Sequence, residues 1–322
     1  MVKLIATDEF VATIQAMKCQ EESYSRKDYL YNKDSSIKRP DPNFLDEECR
    51  FRMIDWCCQV AEFLTIRREI VSVAVRYLDC YLSCSPTEVD RRHFQGIVIA
   101  CLYTAMEIHT NHHIELSCSF ISTITQPKSP PTKLAPAFMA RITQGAYTPE
   151  QIVKLQLELM NTLQWRLNPP TARTFLQYYL CLVPSILMTS SWEDEERRLL
   201  LEEAAQQQMD LAEQDYQFVC CTASSIALAS LANAMQHVDC YYCQSNVQYS
   251  QYHPVILALS EYANIDIYTP NFVTLQENLR QLLMPGEVRY HGCLNHRHNK
   301  QNETIPSSPR GIITTKHAFN SS

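Results

Sequence analysis

The sequence predicts an all-α protein that folds as two domains. At 322 residues, the chain is long enough for two domains of ordinary size. It contains only five glycines, which is few for a sheet-rich fold with many tight turns. Hydrophobic residues make up 46% of the chain and charged residues 20%, so each domain can bury a substantial core. The apolar residues recur at helical spacing along most of the chain, which favours helices over strands.

Two amphipathic helices joined by a short turn open the first domain, within residues 49–83. Each helix has an apolar face, and the connection is short enough to make the two helices antiparallel neighbours. Arg50 begins the first helix and Asp79 lies near the end of the second, each on the apolar face. Because a buried charge is costly unless it is paired, we predict a structural Arg50–Asp79 ion pair. The alternative is that both charges reach solvent at the rim.

This hairpin resembles the start of a cyclin box. In that family the first helix carries an Arg, an aliphatic run and then Asp-Trp, and Arg50 and Met53–Trp56 occupy those places here. The second helix of the family ends in a Tyr-Leu-Asp-x-Tyr-Leu-Ser-like string, which is Tyr77–Ser83 in this chain. The family's Arg and Asp pair with each other, as the hairpin argument predicts independently. The resemblance extends over about residues 48–285.

The rest of the first domain follows the helix order of that family. Residues 91–109 are apolar on nearly every side, which predicts a buried central helix. Residues 110–134 contain several prolines and predict an exposed loop, about twenty residues longer than the resemblance leads us to expect. A helix at 148–165, with Thr148 as N-cap and a proline after it, then leads into Leu167–Pro170, which resembles the junction between two cyclin boxes.

The second half repeats this plan in the order of its helices rather than in its residues. Its predicted helices span residues 171–183, 193–216, 218–235, 254–263 and 274–283. The sequence therefore predicts two tandem five-helix cyclin-fold domains with a short N-terminal helix and a disordered C-terminal tail. The predicted divisions are an N-terminal extension with one helix (1–47), an N-terminal box (48–167), a C-terminal box (168–285) and the tail (286–322).

The resemblance implies a regulatory subunit that binds and activates a cyclin-dependent serine/threonine kinase in cell-cycle control. It implies a kinase interface on the third and fifth helices of the first box, at Glu107, Leu155, Gln156 and Leu159. Kinase-activating members carry a Lys where this chain has Glu107 and a Glu where it has Gln156. That departure favours the alternative function, a non-activating cyclin-fold scaffold or transcription-associated adaptor with no kinase partner.

A second surface implied by the resemblance lies along the first helix and docks the peptides of kinase substrates. Met53, Trp56 and Gln59 are its candidates in this chain. Arg52 stands where an aliphatic residue is usual, and Gln59 stands where an acidic residue is usual. The chain therefore departs from the docking pattern at two positions.

The sequence offers no candidate catalytic residue. It contains no Gly-x-Ser-x-Gly, His-Glu-x-x-His, P-loop or kinase signature. His237, Cys240 and Cys243 have the spacing of metal ligands, but a loop with incidental Cys and His is the simpler interpretation. We therefore predict no enzymatic activity, no metal and no cofactor.

Composition also limits the partners and the compartment. A net charge of −7 and a pI near 5.8 disfavour nucleic-acid binding through bulk charge. No apolar run is long enough to span a bilayer, so we expect no membrane partner. The fourteen cysteines fall mostly in apolar helical stretches, which is typical of reduced thiols in a nuclear or cytoplasmic protein.

Overall fold

The regular elements of the structure are helices, as the sequence predicts. The computed structural model describes residues 2–31, 45–85, 89–109, 135–186, 195–242 and 253–283. These ranges form eleven α-helices and one short 3₁₀ helix, which confirms the all-α class. The predicted loop at 110–134 and the predicted tail at 286–322 lie outside the described residues.

The helices are numbered here in chain order. They are α1 (Val2–Glu22), α2 (Glu47–Phe63), α3 (Arg68–Cys84), α4 (Arg91–His109), α5 (Pro136–Ile142), α6 (Pro149–Thr162), α7 (Ala172–Ile186), α8 (Glu195–Gln214), α9 (Ala223–Tyr242), α10 (His253–Tyr262) and α11 (Pro270–Gln281). The 3₁₀ helix (Tyr216–Phe218) lies between α8 and α9. Within the described ranges, we find no helix with the length and apolar character needed to cross a membrane.

The described residues divide into two compact units. Residues 26–168 form one, called the N-terminal unit below, and residues 2–25 with 169–283 form the other, called the C-terminal unit. Helix α1 therefore belongs with the C-terminal unit, although it precedes α2 in the chain. The sequence predicts a single extension over residues 1–47, whereas the structure divides this stretch after residue 25.

Helix α4 is the centre of the N-terminal unit. It contacts α2, α3, α5 and α6, and every residue from Phe94 to Met106 is buried. A helix that is apolar all round has no face to leave in water, so it becomes central. Thr148 begins α6 with the predicted cap, because its side chain accepts a hydrogen bond from the backbone N–H of Gln151, whose side chain bonds back to Thr148.

Helix α9 has the same place in the C-terminal unit, where it contacts α7, α8, α10 and α11. Helix α1 packs against α7 and α10 of this unit. The buried carboxylate of Glu21 accepts hydrogen bonds from the backbone N–H and the hydroxyl of Ser224, at 3.0 and 2.7 Å, at the start of α9. A carboxylate is favoured at a helix N-terminus, so this contact fixes α1 to α9.

Each unit contains an Arg–Asp ion pair in an equivalent place. In the N-terminal unit Arg50 of α2 pairs with Asp79 of α3, and in the C-terminal unit Arg173 of α7 pairs with Asp210 of α8. In both units the Arg lies in the first turn of the first helix and the Asp lies near the end of the second. The repeat is therefore visible in residues as well as in helix order, which the sequence analysis does not detect.

Candidate functional site

The Arg50–Asp79 pair is the buried polar centre of the N-terminal unit. Arg50 donates from Nη2 to Asp79 Oδ2 at 3.0 Å and from Nε to Asp79 Oδ1 at 3.2 Å, and both residues are 1% exposed. The phenolic O–H of Tyr29 donates to Asp79 Oδ1 at 2.7 Å. A bidentate geometry with a further hydrogen bond is the arrangement that makes a buried ion pair tolerable. Its role is structural, because it fixes the α2–α3 hairpin.

Glu107 and Gln156 are in direct contact. The side-chain amide of Gln156 on α6 donates to Glu107 Oε2 at the end of α4, with a distance of 2.8 Å. Gln156 is buried whereas Glu107 is exposed, so the carboxylate keeps its negative charge at the surface. Burial and the charge of Glu107 together raise the pKa of Tyr103 to about 12, one turn earlier on α4.

Leu159 is not a surface residue. It is 0% exposed and lies in the core of the N-terminal unit, which corrects its assignment to a kinase interface. Leu155 is partly buried, because α6 approaches α4 closely at Gly96: a Cβ at that glycine would lie 2.7 Å from Leu155 Cδ1 and 3.0 Å from Tyr147 Cε1. Leu155 and Leu159 are four residues apart, one turn along the inner side of α6.

Four other apolar side chains are exposed on α4, on α6 or just after α6, the two helices that carry Glu107 and Gln156. Their exposed fractions are 43% for Ile108 on α4, 46% for Val153 and 52% for Leu157 on α6, and 61% for Trp165 after α6. We call these residues, with Glu107 and Gln156, the α4–α6 face. None of these four is among the interface residues predicted from the sequence, although Val153 and Leu157 are spaced i, i+4 and lie off the stripe that contains Leu155 and Leu159.

The backbone after α6 holds Trp165 in place. Gln164 and Trp165 are consecutive residues with φ of 52° and 60°, a left-handed conformation that is uncommon outside glycine. The N–H of Trp165 bonds to Met160 O at 2.9 Å and closes the end of the helix. Two residues later the carbonyl of Leu167 accepts the O–H of Tyr77 at 2.5 Å, so the segment that carries Trp165 is fixed on α3.

The proposed peptide-docking residues do not form a surface. Met53 is 0% exposed and Trp56 is 3% exposed, because both face the core of the N-terminal unit. This burial corrects their assignment to a docking site. Gln59 is partly buried and donates to Asp55 Oδ2 at 2.7 Å, and Arg52 is exposed and pairs with Glu48. The exposed positions of α2 (Glu47, Arg52 and Glu62) are all charged.

The described residues contain no group of three His, Cys, Asp or Glu that could hold a metal ion. His237 lies exposed on α9. The side chain of Cys240 and the whole of Cys243 lie outside the described part of the chain. The described residues therefore do not test whether His237, Cys240 and Cys243 bind a metal, and the expectation that they do not stays a prediction.

Comparison with known proteins agrees with the resemblance of the α2–α3 hairpin to a cyclin box. The family model described as the cyclin N-terminal domain matches residues 12–168. The chain is 26% identical over 154 residues to a G1/S-specific cyclin-E1 of Danio rerio, an alignment that covers 48% of this chain and 32% of that protein. It is 24% identical over 184 residues to cyclin-A1 of Homo sapiens, covering 55% of this chain and 35% of that protein. The chain thus spans about a third of the length of these curated relatives.

The fold comparison extends over both units. The X-ray structure of a viral cyclin from herpesvirus saimiri is similar, with a TM-score of 0.54 and 15% sequence identity. That similarity covers 83% of this chain and 96% of the viral protein. The family match, the relatives and the fold agree with the hairpin motif around Arg50 and Asp79. This chain is a member of the cyclin family.

Proposed function

We propose that this chain is a cyclin-like regulatory subunit that binds a cyclin-dependent serine/threonine kinase and activates it in cell-cycle control. Membership of the cyclin family supports this function, and relatives named G1/S-specific cyclins support the cell-cycle context. The observation that carries the proposal is the α4–α6 face, where the two helices joined by the Glu107–Gln156 hydrogen bond, and the turn after α6, expose apolar side chains. In this function the kinase supplies the catalytic residues, and the chain has no enzymatic activity of its own.

The composition of the α4–α6 face supports a role as a protein interface. Isolated exposed apolar residues are normal on a protein, whereas a group of them on one face indicates a binding surface. Trp165 and Leu157 are each more than half exposed. A few aromatic and aliphatic residues usually supply most of the binding energy of an interface, surrounded by a polar rim. We therefore assign Trp165 and Leu157 as the anchors of the kinase contact.

Activation by such a surface is a shift in the partner's conformations. A kinase whose mobile helix exchanges between two positions is driven toward the position that the subunit binds more tightly. The subunit can shift this equilibrium only by the difference between its two affinities. The α4–α6 face suits this role because α4 is packed on every side and the turn at Trp165 is fixed by its hydrogen bonds.

The charge of the α4–α6 face determines which kinase it accepts. Glu107 is exposed, and its neighbour Gln156 carries no charge that could neutralise it. A like charge placed opposite an interfacial carboxylate costs several kcal/mol through repulsion and desolvation. We therefore propose that the partner kinase carries a basic residue opposite Glu107, the reverse of the polarity that the Lys-bearing members of the family present.

A scaffold without a kinase partner is the second candidate function. The Glu107–Gln156 pair favours it, because this pair replaces the Lys–Glu pair of kinase-activating members. In that case the α4–α6 face would bind a different protein, such as a transcription-associated one. The two functions differ in whether a cyclin-dependent kinase binds at this face.

We also propose that the protein works in the nucleus or the cytoplasm. Ten cysteines whose side chains the structure describes are free thiols. Burial raises the pKa of Cys57 to about 12 and raises the pKa of Cys101 as well. Such thiols stay protonated and unreactive at neutral pH, which supports a reducing compartment.

Two substitutions on the α4–α6 face test the kinase proposal. We expect Leu157→Asp to weaken binding to the partner kinase at least about tenfold, because it places a charge in the apolar contact. Glu107→Lys should weaken the same binding by a similar factor, because it opposes the kinase's basic residue. Titration calorimetry at physiological salt measures both effects. Leu199→Asp on α8 is the matched control, since Leu199 is 53% exposed but lies in the C-terminal unit.

The outcomes distinguish the two functions. Loss of affinity in Leu157→Asp and Glu107→Lys, but not in Leu199→Asp, supports kinase binding by the α4–α6 face. Equal affinities for wild type and Glu107→Lys would place Glu107 outside the interface. Absence of any binding between the wild-type chain and cyclin-dependent kinases would favour the scaffold function.

A further inference from the structure

One backbone carbonyl after α6 accepts hydrogen bonds from two different helices. The O–H of Tyr77 on α3 donates to Leu167 O at 2.5 Å, and Nε2 of His109, the last residue of α4, lies 2.9 Å from the same oxygen. Tyr77 Oη and His109 Nε2 are themselves 3.0 Å apart. Because a carbonyl oxygen can only accept, His109 Nε2 carries a proton and donates as well. Both lone pairs of the Leu167 carbonyl are therefore used.

The residues just before this carbonyl form a strained turn. Gln164 and Trp165 both have a left-handed backbone, with φ of 52° and 60°. The turn after α5 is built in the same way at Gln144 and Gly145, with φ of 53° and 76°, and in both turns the N–H of the second residue bonds to the carbonyl five residues earlier. Trp165 thus stands where the other turn has a glycine, the residue that adopts this conformation without steric cost. Such strain persists only where surrounding contacts hold it.

The contact at the Leu167 carbonyl joins two parts of the α4–α6 face. His109 directly follows Ile108 on α4, and Leu167 lies two residues after Trp165. The hydrogen bond between His109 and Leu167 therefore ties the exposed end of α4 to the turn after α6. Trp165 is 61% exposed, so hydrogen bonds on either side of it, rather than packing of its indole, hold the turn.

We propose that Tyr77 and His109 are positioning residues for the kinase contact. By holding the Leu167 carbonyl, they keep the turn in the conformation that presents Trp165 to the partner. This inference rests on the proposed function, in which Trp165 is an anchor. Tyr77 acts only through the turn, because it is 1% exposed. A partner that binds one conformation of the turn loses apparent affinity in proportion as other conformations become populated.

Kinase binding by the full-length chain tests this role, with the cyclin-dependent kinase recovered with wild type as the probe. We expect Tyr77→Phe and His109→Leu each to weaken binding about three- to tenfold, because each removes one hydrogen bond of ordinary net strength from the turn. His109→Gln should restore most of the affinity lost in His109→Leu, since its amide keeps an N–H donor. Titration calorimetry measures all three variants.

Tyr81→Phe is the matched control. Tyr81 lies one turn after Tyr77 on α3 and is 4% exposed, and its O–H donates to Glu158 Oε1 at 2.5 Å beside His93. The control removes the same hydroxyl from similar surroundings, but away from the Leu167 carbonyl. It should keep the wild-type affinity even where it lowers the Tm as much as Tyr77→Phe does. That difference separates positioning of the turn from general loss of stability.

Hydrogen–deuterium exchange of the chain without kinase gives an independent measurement. The N–H of Trp165 is bonded to Met160 O at 2.9 Å, which protects it from exchange. The peptide covering residues 160–168 should exchange faster in Tyr77→Phe and His109→Leu than in wild type. The same peptide should exchange at the wild-type rate in Tyr81→Phe.

The outcomes separate this inference from the proposed function. Wild-type affinity in Tyr77→Phe and His109→Leu would overturn the positioning role and leave kinase binding intact. An equal loss of affinity in Tyr81→Phe, or unchanged exchange at residues 160–168, would also overturn it. Absence of kinase binding by wild type would instead overturn the proposed function, and this inference with it.

Discussion

Replacing Arg50 with Ala is expected to lower the free energy of unfolding of the N-terminal unit by about 3–5 kcal/mol. The substitution leaves Asp79 charged and 1% exposed, without its bidentate partner. The O–H of Tyr29 and the more distant Arg26 remain beside Asp79, so the loss should lie toward the lower end of this range. Urea denaturation followed by tryptophan fluorescence measures it, because Trp56 is buried in the same helix as Arg50.

Two further variants distinguish the effect of losing the ion pair from general damage to the core. Replacing Arg50 and Asp79 together by apolar residues should recover much of the loss, because no charge is then buried without a partner. Arg173→Ala, the equivalent change in the C-terminal unit, should cost less because the side chain of Asp210 is 20% exposed and can be hydrated. A loss below about 1 kcal/mol in Arg50→Ala would mean that solvent reaches Asp79.

Replacing Leu159 with Ala is expected to lower the free energy of unfolding by about 2–5 kcal/mol. Leu159 is 0% exposed, so the shorter side chain leaves a cavity in the N-terminal unit. Leu157→Ala, two residues earlier on α6, is the control because Leu157 is 52% exposed. It should change stability by less than about 0.5 kcal/mol. The same denaturation experiment compares the two variants.

This comparison also tests how α6 is oriented in the N-terminal unit. A large loss in Leu159→Ala with little change in Leu157→Ala agrees with a buried Leu159 and an exposed Leu157. The reverse order of losses would mean that α6 is rotated about its axis, with Leu157 buried and therefore not part of the α4–α6 face.

Features that depend on local pattern could be predicted from the sequence. The helical class, the buried α4 and the Thr148 cap each follow from residues that are close in the chain. Arg50 and Asp79 are 29 residues apart, yet their contact also follows from local reasoning, because a short turn makes their helices neighbours. The side chains of Arg26 and Tyr29 join this pair from a segment without helical periodicity, so no sequence pattern indicates them.

The residues of the candidate site were harder to assign. The family resemblance indicates α4 and α6 but does not fix which side of α6 is exposed, and Leu159 is buried while Val153 and Leu157 are accessible. Met53 and Trp56 fail for the same reason, since a resemblance gives a position along a helix and not its accessibility. The attachment of α1 through Glu21 to Ser224 joins residues about two hundred positions apart, and nothing local predicts such a contact.

The central claim, activation of a cyclin-dependent kinase, is tested most directly by recovering the full-length chain from synchronised cells and measuring kinase activity in the recovered complex. Wild type should bring down a cyclin-dependent kinase, identified by mass spectrometry, and the complex should phosphorylate a serine/threonine peptide. Leu157→Asp should lose both the kinase and the activity, while Leu199→Asp keeps them. Recovery of wild type without a cyclin-dependent kinase, or with a bound kinase that is no more active than the free kinase, would contradict the account.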